Sequence, residues 1–147
     1  MKTARRRSTQ EGNALIEFVL IATTLFLFSA GIADFSRLIT LISVADGGAS
    51  AGTQYAALSP AHYNDFTGIQ NAAVAGTGNY SGATASATQF CSCSVGGTQV
   101  SCPATCATGT AETYVQVTVN IPFDAIFKYP GMPDPLNAST TSVVRVQ

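Results

Sequence analysis

The sequence predicts an α+β protein. A long N-terminal helix, apolar enough in its first half to cross a membrane, packs its second half on a small antiparallel β-sheet that carries a disulfide-bonded hairpin. Three observations carry this reading. A basic tip at Lys2, Arg5, Arg6 and Arg7 leads into an apolar run over residues 19–33. The hydrophobic period is helical after that run and becomes two from Phe90 onward. Four cysteines, Cys91, Cys93, Cys102 and Cys106, crowd one short segment.

As a helix, the apolar run is long enough to span about 30 Å of hydrocarbon. Basic residues stay cytoplasmic, so the N-terminus is expected inside and the rest outside. One carboxylate, Glu17, interrupts the entry. A charge in a membrane segment costs roughly 2.5–3.5 kcal/mol on insertion scales, so Glu17 implies a use. An ordinary secretory signal is the competing reading. Its apolar core is about 7–15 residues and ends at a small-x-small site. Gly31-Ile32-Ala33 fits such a site and would release a domain starting at Asp34. The length of the run and the presence of Glu17 inside it argue against this.

The helix is expected to continue past the run. Asp34 and Arg37, spaced i, i+3, form an ion pair on one face. Leu38, Leu41, Ile42, Ala45, Ala49 and Ala56 extend an apolar stripe at helical spacing. Gly47, Gly48 and Gly52 each weaken a helix by about 1 kcal/mol relative to alanine. Gly48-x-x-x-Gly52 is expected to pack against the protein's own sheet. Ser59-Pro60 ends the helix. A short second helix is predicted over 64–75, with Ile69, Ala72, Ala73 and Val74 on its apolar face and Gly76-Thr77-Gly78 as its stop. Residues 76–88, rich in Gly, Ser, Thr and Ala, read as loop or weak strand.

From Phe90, Cys91, Cys93 and Val95 alternate with serines, Gly96-Gly97 signals a turn, and Val100 and Cys102 alternate on the return, which makes a hairpin. Residues 114–121 are the clearest strand. Val115, Val117, Val119 and Ile121 face one way, Tyr114, Gln116, Thr118 and Asn120 the other, and Pro122 ends it. Pro130, Pro133 and Pro135 mark an irregular stretch, and a last strand is predicted over 140–146. The apolar face of this sheet needs a cover, and the second half of the long helix supplies it.

An even number of cysteines in an exported body reads as two disulfides. C-x-C with C-x3-C is not a zinc-finger spacing, so no metal is expected. Three pairings are possible. A four-residue loop at 96–99 sets Val95 opposite Val100 and gives the nested pairs Cys93–Cys102 and Cys91–Cys106. A two-residue turn at Gly96-Gly97 sets Cys91 opposite Cys102 and leaves Cys93 for Cys106. The nested register is favoured because it keeps both valines paired.

Only 10 % of the 147 residues are charged, against roughly 25 % in ordinary soluble domains. Beyond Gly12, three bases (Arg37, Lys128, Arg145) stand against seven acids, a net −4. With no basic patch to meet phosphates, nucleic-acid binding is excluded. The single histidine, His62, reads as a surface residue. Asp124 and Asp134 flank a proline loop and solvate it. Phe123, Phe127 and Tyr129 read as a roof over the sheet or a partner patch. No nucleophile elbow and no phosphate-cradling glycine loop is present, so no enzyme activity and no cofactor are expected.

The stretch Gly12-Asn13-Ala14-Leu15-Ile16-Glu17-Phe18 resembles a prepilin cleavage site. The resemblance implies that an inner-membrane prepilin peptidase cuts after Gly12, that Asn13 becomes the N-terminus, and that Glu17 and Phe18 are the fifth and sixth mature residues. The Glu-Phe pair is similar to the tight-adherence (Tad/Flp) branch. Asp34-Phe35-Ser36-Arg37 resembles the Asp-Phe-Gly-Arg-like tetrapeptide of TadE-like minor pilins (pseudopilins), with serine for glycine. The alanine- and glycine-rich stretch at 45–57, the paired cysteines, the valine strand and the terminal strand bearing Arg145 are similar too. The resemblance implies a pilin-like fold: a cytoplasmic leader at 1–12, a transmembrane helix at 13–33 and an extracytoplasmic body at 34–147. It implies an inner-membrane subunit with a periplasmic body, later found in the pilus or at the cell surface. Its partners would be the peptidase, other pilin and minor-pilin subunits and membrane lipid, and its role pilus assembly or priming for adhesion. Cleavage would create an α-ammonium at Asn13, spaced i, i+4 from Glu17. That amine, or a neighbouring subunit's, would pair with the carboxylate in lipid. The reading of a different class is a secreted or anchored binding module released by signal peptidase.

Overall fold

The computed structural model describes the backbone of residues 5–94, 97–107, 109–127, 131 and 135–146, with side chains from Gly12 onward. Three helices precede three strands: α1 (Arg5–Ala57), α2 (Pro60–Tyr63), α3 (Phe66–Gly76), β1 (Thr84–Ser92), β2 (Glu112–Phe123) and β3 (Leu136–Arg145). The chain divides into two compact units, Met1–Arg37 and Leu38–Gln147.

In the first unit, the described side chains of α1 are almost all exposed, with Leu15, Phe18, Leu25, Phe26 and Phe28 each more than half accessible. The stretch Gly12–Ala57 contains a helix long and apolar enough to cross a membrane. Its hydroxyls are satisfied internally. Thr23 donates to the Val19 carbonyl (2.7 Å), Thr24 to Leu20 (2.9 Å) and Ser29 to Leu25 (2.8 Å). That is the requirement lipid imposes on any polar group in a spanning helix.

The second unit is built on β2. Val115, Val117, Val119 and Ile121 are fully buried, as their period-two spacing predicts. β2 is central in an antiparallel sheet of order β1-β2-β3. Leu41, Ala45, Ala49 and Ala56 of α1, with Ile69 and Ala73 of α3, join these valines in one core. The stripe read from the sequence is therefore the cover of the sheet.

The glycines of α1 have a different neighbour from the one expected. A Cβ on Gly48 would stand 2.6 Å from Thr77 Cγ2 and 2.8 Å from the Ala73 carbonyl. One on Gly52 would meet both Ala73 Cβ and Val117 Cγ1 at 3.0 Å, and one on Gly76 would stand 3.1 Å from Gly48 Cα. The glycine pair is thus first a seam between α1 and α3, and only Gly52 also touches the sheet. Two helices share one small sheet, so they approach closely, and a missing Cβ is what permits it.

Other differences concern strands. β1 spans Thr84–Ser92 as one strand, joining the end of the stretch read as loop or weak strand to the start of the expected hairpin. Its inward positions include Ala85 and Ala87, small enough to lie under the helices but weak as a strand signal. The predicted hairpin shrinks to one bridge, Cys91 opposite Val100. β2 runs one residue past Pro122, and β3 starts at Leu136 rather than 140. Pro122 is tolerated because its absent N–H would face β1, whose pairing with β2 stops at Thr84–Asn120. The second helix starts at Phe66, capped by Asp65, whose carboxylate accepts from the Gly68 amide (2.9 Å). Of the aromatic roof, Phe123 is buried in the core and Phe127 is partly exposed. Tyr129, Lys128, Pro130, Met132, Pro133 and Asp134 lie outside the described residues, as do Val95 and Gly96 of the predicted turn.

The α1–α3 seam predicts opposite signs for adjacent glycines. Gly48→Val should destabilise the second unit by about 1–3 kcal/mol through overpacking. Gly47→Ala, whose Cβ would meet nothing nearer than the Gly76 carbonyl at 3.9 Å, should stabilise by about 0.5–1 kcal/mol through helix propensity. Denaturant unfolding of the full chain in detergent, followed by the tyrosine signal, measures both.

Candidate functional site

The residues singled out in the sequence fall into two groups, one in each unit. The first is on α1. Gly12 lies within the helix with nothing within 4 Å of where its Cβ would be. Asn13, Glu17 and Phe18 follow on exposed helix surface, so Asn13 and Glu17 stand one turn apart on one side. Near the C-terminal end of the unit, Arg37 Nη1 lies 3.4 Å from Asp34 Oδ1, the expected ion pair. The partners differ in setting: the Asp34 side chain is 6 % exposed and that of Arg37 49 %. A buried carboxylate with its cation one turn away is held where an unpaired one would be costly.

The second group is the disulfide loop. The bridges are Cys91–Cys102 and Cys93–Cys106, with Cα separations of 5.2 and 5.6 Å. The nested pairing favoured by the sequence is therefore wrong. The reason is register. Gly97 N–H donates to the Ser94 carbonyl (2.9 Å), so the turn closes earlier than either predicted loop. Cys91 and Val100 then exchange two backbone hydrogen bonds, at 2.8 and 2.9 Å. Cys102, two residues beyond Val100, becomes the diagonal neighbour of Cys91, and Cys93 is left for Cys106. Beside the bridges is an open depression of about 720 Å³, lined by Cys91, Cys102, Pro103, Cys106, Thr110 and Thr113 among others, none of them charged.

Two polar clusters escaped the sequence reading. His62 is half-buried: its Nδ1 lies 2.7 Å from Ser59 Oγ, and its ring meets Tyr55 edge-on at 4.6 Å. Tyr55 in turn donates to Asp65 Oδ2 (3.1 Å), so this group ties the end of α1 to the start of α3. At one end of the sheet, Tyr114 donates to Glu112 Oε2 (2.6 Å), Arg145 Nη1 pairs with Glu112 Oε1 (2.9 Å), and Phe90 stacks on Tyr114 at 5.3 Å. One carboxylate thus joins β2 to β3, while the rings join β2 to β1. The hydrogen bond to Glu112, followed by desolvation, raises the Tyr114 pKa above its ordinary 10.0. Register alone brings these residues together, and only the pairing of strands reveals it. Asp124 is exposed. Among the described residues, no three His, Cys, Asp or Glu side chains converge to hold a metal.

A long apolar helix able to cross a membrane, a three-stranded antiparallel sheet and two disulfides together make an α+β, pilin-like fold. Over residues 12–54, under half of the chain, the sequence is similar to the family model described as TadE-like protein. The match spans the Gly12–Phe18 motif, the apolar run, the Asp34–Arg37 pair and the glycine seam. No curated protein and no solved structure matches the chain.

Two measurements check this geometry. Non-reducing peptide mapping should recover Cys91 linked to Cys102 and Cys93 to Cys106. Ultraviolet titration should show Tyr114 ionising above pH 10. A folded-state pKa above the unfolded value means that the Tyr114–Glu112 bond supports the fold fully below pH 10 and is lost as pH rises through the raised value. Glu112→Gln should bring the Tyr114 titration back toward 10.0.

Proposed function

We propose that this chain is a minor pilin of a Tad-type pilus, processed by a prepilin peptidase and taking part in pilus assembly or priming. The single observation that carries the reading is the match over residues 12–54, which contains the glycine–glutamate motif on a helix apolar enough to cross a membrane. Gly12 is the residue after which the peptidase cuts, and Asn13 is the mature N-terminus. Glu17 and Phe18 act in assembly, Glu17 by pairing with an α-ammonium, its own or a neighbour's. The basic leader stays cytoplasmic and the disulfide-bonded body is periplasmic before it reaches the pilus. The body starts at Asp34, where the Asp34–Arg37 pair marks the end of the apolar segment. Membrane lipid, the peptidase and neighbouring pilin subunits are its partners. The protein works by assembly and not by catalysis.

The mature N-terminus decides between readings. Sequencing should give Asn13. A start at Asp34 supports release by signal peptidase, and Met1 an unprocessed anchor. Gly12→Val should leave a full-length precursor in the membrane. Glu17→Ala should be cut and inserted yet absent from pili, with Glu17→Asp intermediate because the shorter side chain reaches less far. Normal piliation by Glu17→Ala without a wild-type copy removes the assembly role.

A further inference from the structure

The two disulfides differ in what holds their sulfurs together once the bond is broken. Cys91 belongs to β1. It is 3 % exposed and stands opposite Thr113 in the β1–β2 register, with its Sγ 3.8 Å from Thr113 Oγ1. Its backbone N–H donates to the Val100 carbonyl at 2.8 Å, and its carbonyl accepts from the Val100 N–H at 2.9 Å. Cys102 follows Val100 by two residues, so this backbone clasp keeps it beside Cys91 with or without the bridge.

Cys93 and Cys106 have no such clasp. Cys93 is exposed, one residue past the end of β1, and Cys106 is half-buried. Among the described residues, 101–107 make no hydrogen bond. Cys106 is therefore held to the body only by its own bridge and by the chain on either side. It also lines the open depression beside the bridges, where no charged side chain stands in the way of an incoming thiolate. How readily a disulfide is reduced depends on access to its sulfurs and on the effective concentration of its two thiols in the reduced protein. Clasped thiols find each other again, and unclasped ones separate.

We propose that Cys93–Cys106 is a thiol-exchange site, opened and closed by a dithiol while Cys91–Cys102 stays intact. A thiolate of the dithiol attacks Cys93 Sγ, on the more exposed residue of the pair. A mixed disulfide forms at Cys93, the Cys93–Cys106 bond breaks, and Cys106 leaves as a thiolate that takes up a proton. The dithiol's second thiolate then attacks its own sulfur in the mixed disulfide and releases Cys93, which is protonated in turn. Two electrons pass to the protein, and the dithiol becomes a disulfide. The reverse steps close the site. Opening frees Cys106 and its neighbours from the end of β1, while the Cys91–Val100 clasp and the sheet persist. The inference stands on this loop alone and does not depend on the pilus reading.

The test uses the full chain in detergent micelles without denaturant. Limiting dithiothreitol is added, samples are quenched and alkylated over time, and the modified cysteines are located by peptide mapping. Cys93 and Cys106 should become alkylated about tenfold or more faster than Cys91 and Cys102. Glutathione, a monothiol that cannot complete the second step, should be trapped on Cys93. In the Cys93→Ser, Cys106→Ser double variant, Cys91–Cys102 should open as slowly as in the native chain, with the Tyr114 titration still raised, because its resistance belongs to the clasp and not to the neighbouring bridge. Val100→Pro removes the N–H that Cys91 accepts and should bring the two native rates together. Four outcomes overturn the proposal: Cys91 and Cys102 alkylated first or together with the other pair, no reduction of either bridge without denaturant, glutathione on Cys106, or a Cys91–Cys102 bridge that opens fast once Cys93 and Cys106 are serine.

Discussion

The close approach of α1 to both α3 and β2 is the constraint on which the second unit depends. The buried row of β2 is short and aliphatic, with Val115, Val117, Val119 and Ile121 as its members. A row of that depth is covered only if the helices come near. Alanine at positions 45, 49 and 56 and glycine at 48 and 52 let them do so. Each glycine in the interior of a helix costs about 1 kcal/mol of propensity. Here that cost is offset by burial of the valine row, worth roughly 1.5–3 kcal/mol for each fully buried side chain. The disulfides staple the loop that follows β1, and the Glu112–Tyr114–Arg145 group ties β2 to β3 at the same end of the sheet.

The same helix answers to two solvents. Over residues 12–33 every described side chain is bulky and apolar, small, or a hydroxyl that bonds its own backbone, apart from Asn13 and Glu17. From Leu38 the side chains that matter are small and face protein. The change falls at Asp34–Arg37, where the chain also divides into its two compact units. Lipid selects for bulk on all sides, and a close-packed seam selects against it on one. Neither segment could replace the other.

Legibility followed the strength of the local pattern. The apolar run, the Val115–Ile121 alternation, the Asp34–Arg37 spacing and the stop at Ser59-Pro60 each depend on neighbours in sequence, and all appear where expected. The first half of β1 was legible only as loop or weak strand, because Ala85 and Ala87 satisfy a crowded interface without any strand preference of their own. The disulfide pairing was missed because it hangs on a turn position. Moving the turn earlier placed Cys91 opposite Val100 and changed every cysteine's neighbour. The Tyr114–Glu112–Arg145 cluster joins residues more than thirty positions apart, and only strand register assembles it. The motif at Gly12–Phe18 is the converse case. It is plain in the sequence, while the structure shows only an exposed helix surface there.

The two carboxylates of the first unit differ in how each is compensated. Glu17 and Asp34 bracket the apolar segment, and no other charge lies between them. Seventeen residues of helix rise about 25 Å, slightly less than the roughly 30 Å hydrocarbon core. Both acids cannot then sit fully in water at once. Asp34 has Arg37 at 3.4 Å on its own chain, and so carries its compensation with it. Glu17 has no basic residue within nine positions on either side, Arg7 standing ten before it and Arg37 twenty after. None of these bases has the i, i+3 spacing at which Arg37 serves Asp34. A carboxylate without a cation one turn away is the costlier of the two to hold in hydrocarbon.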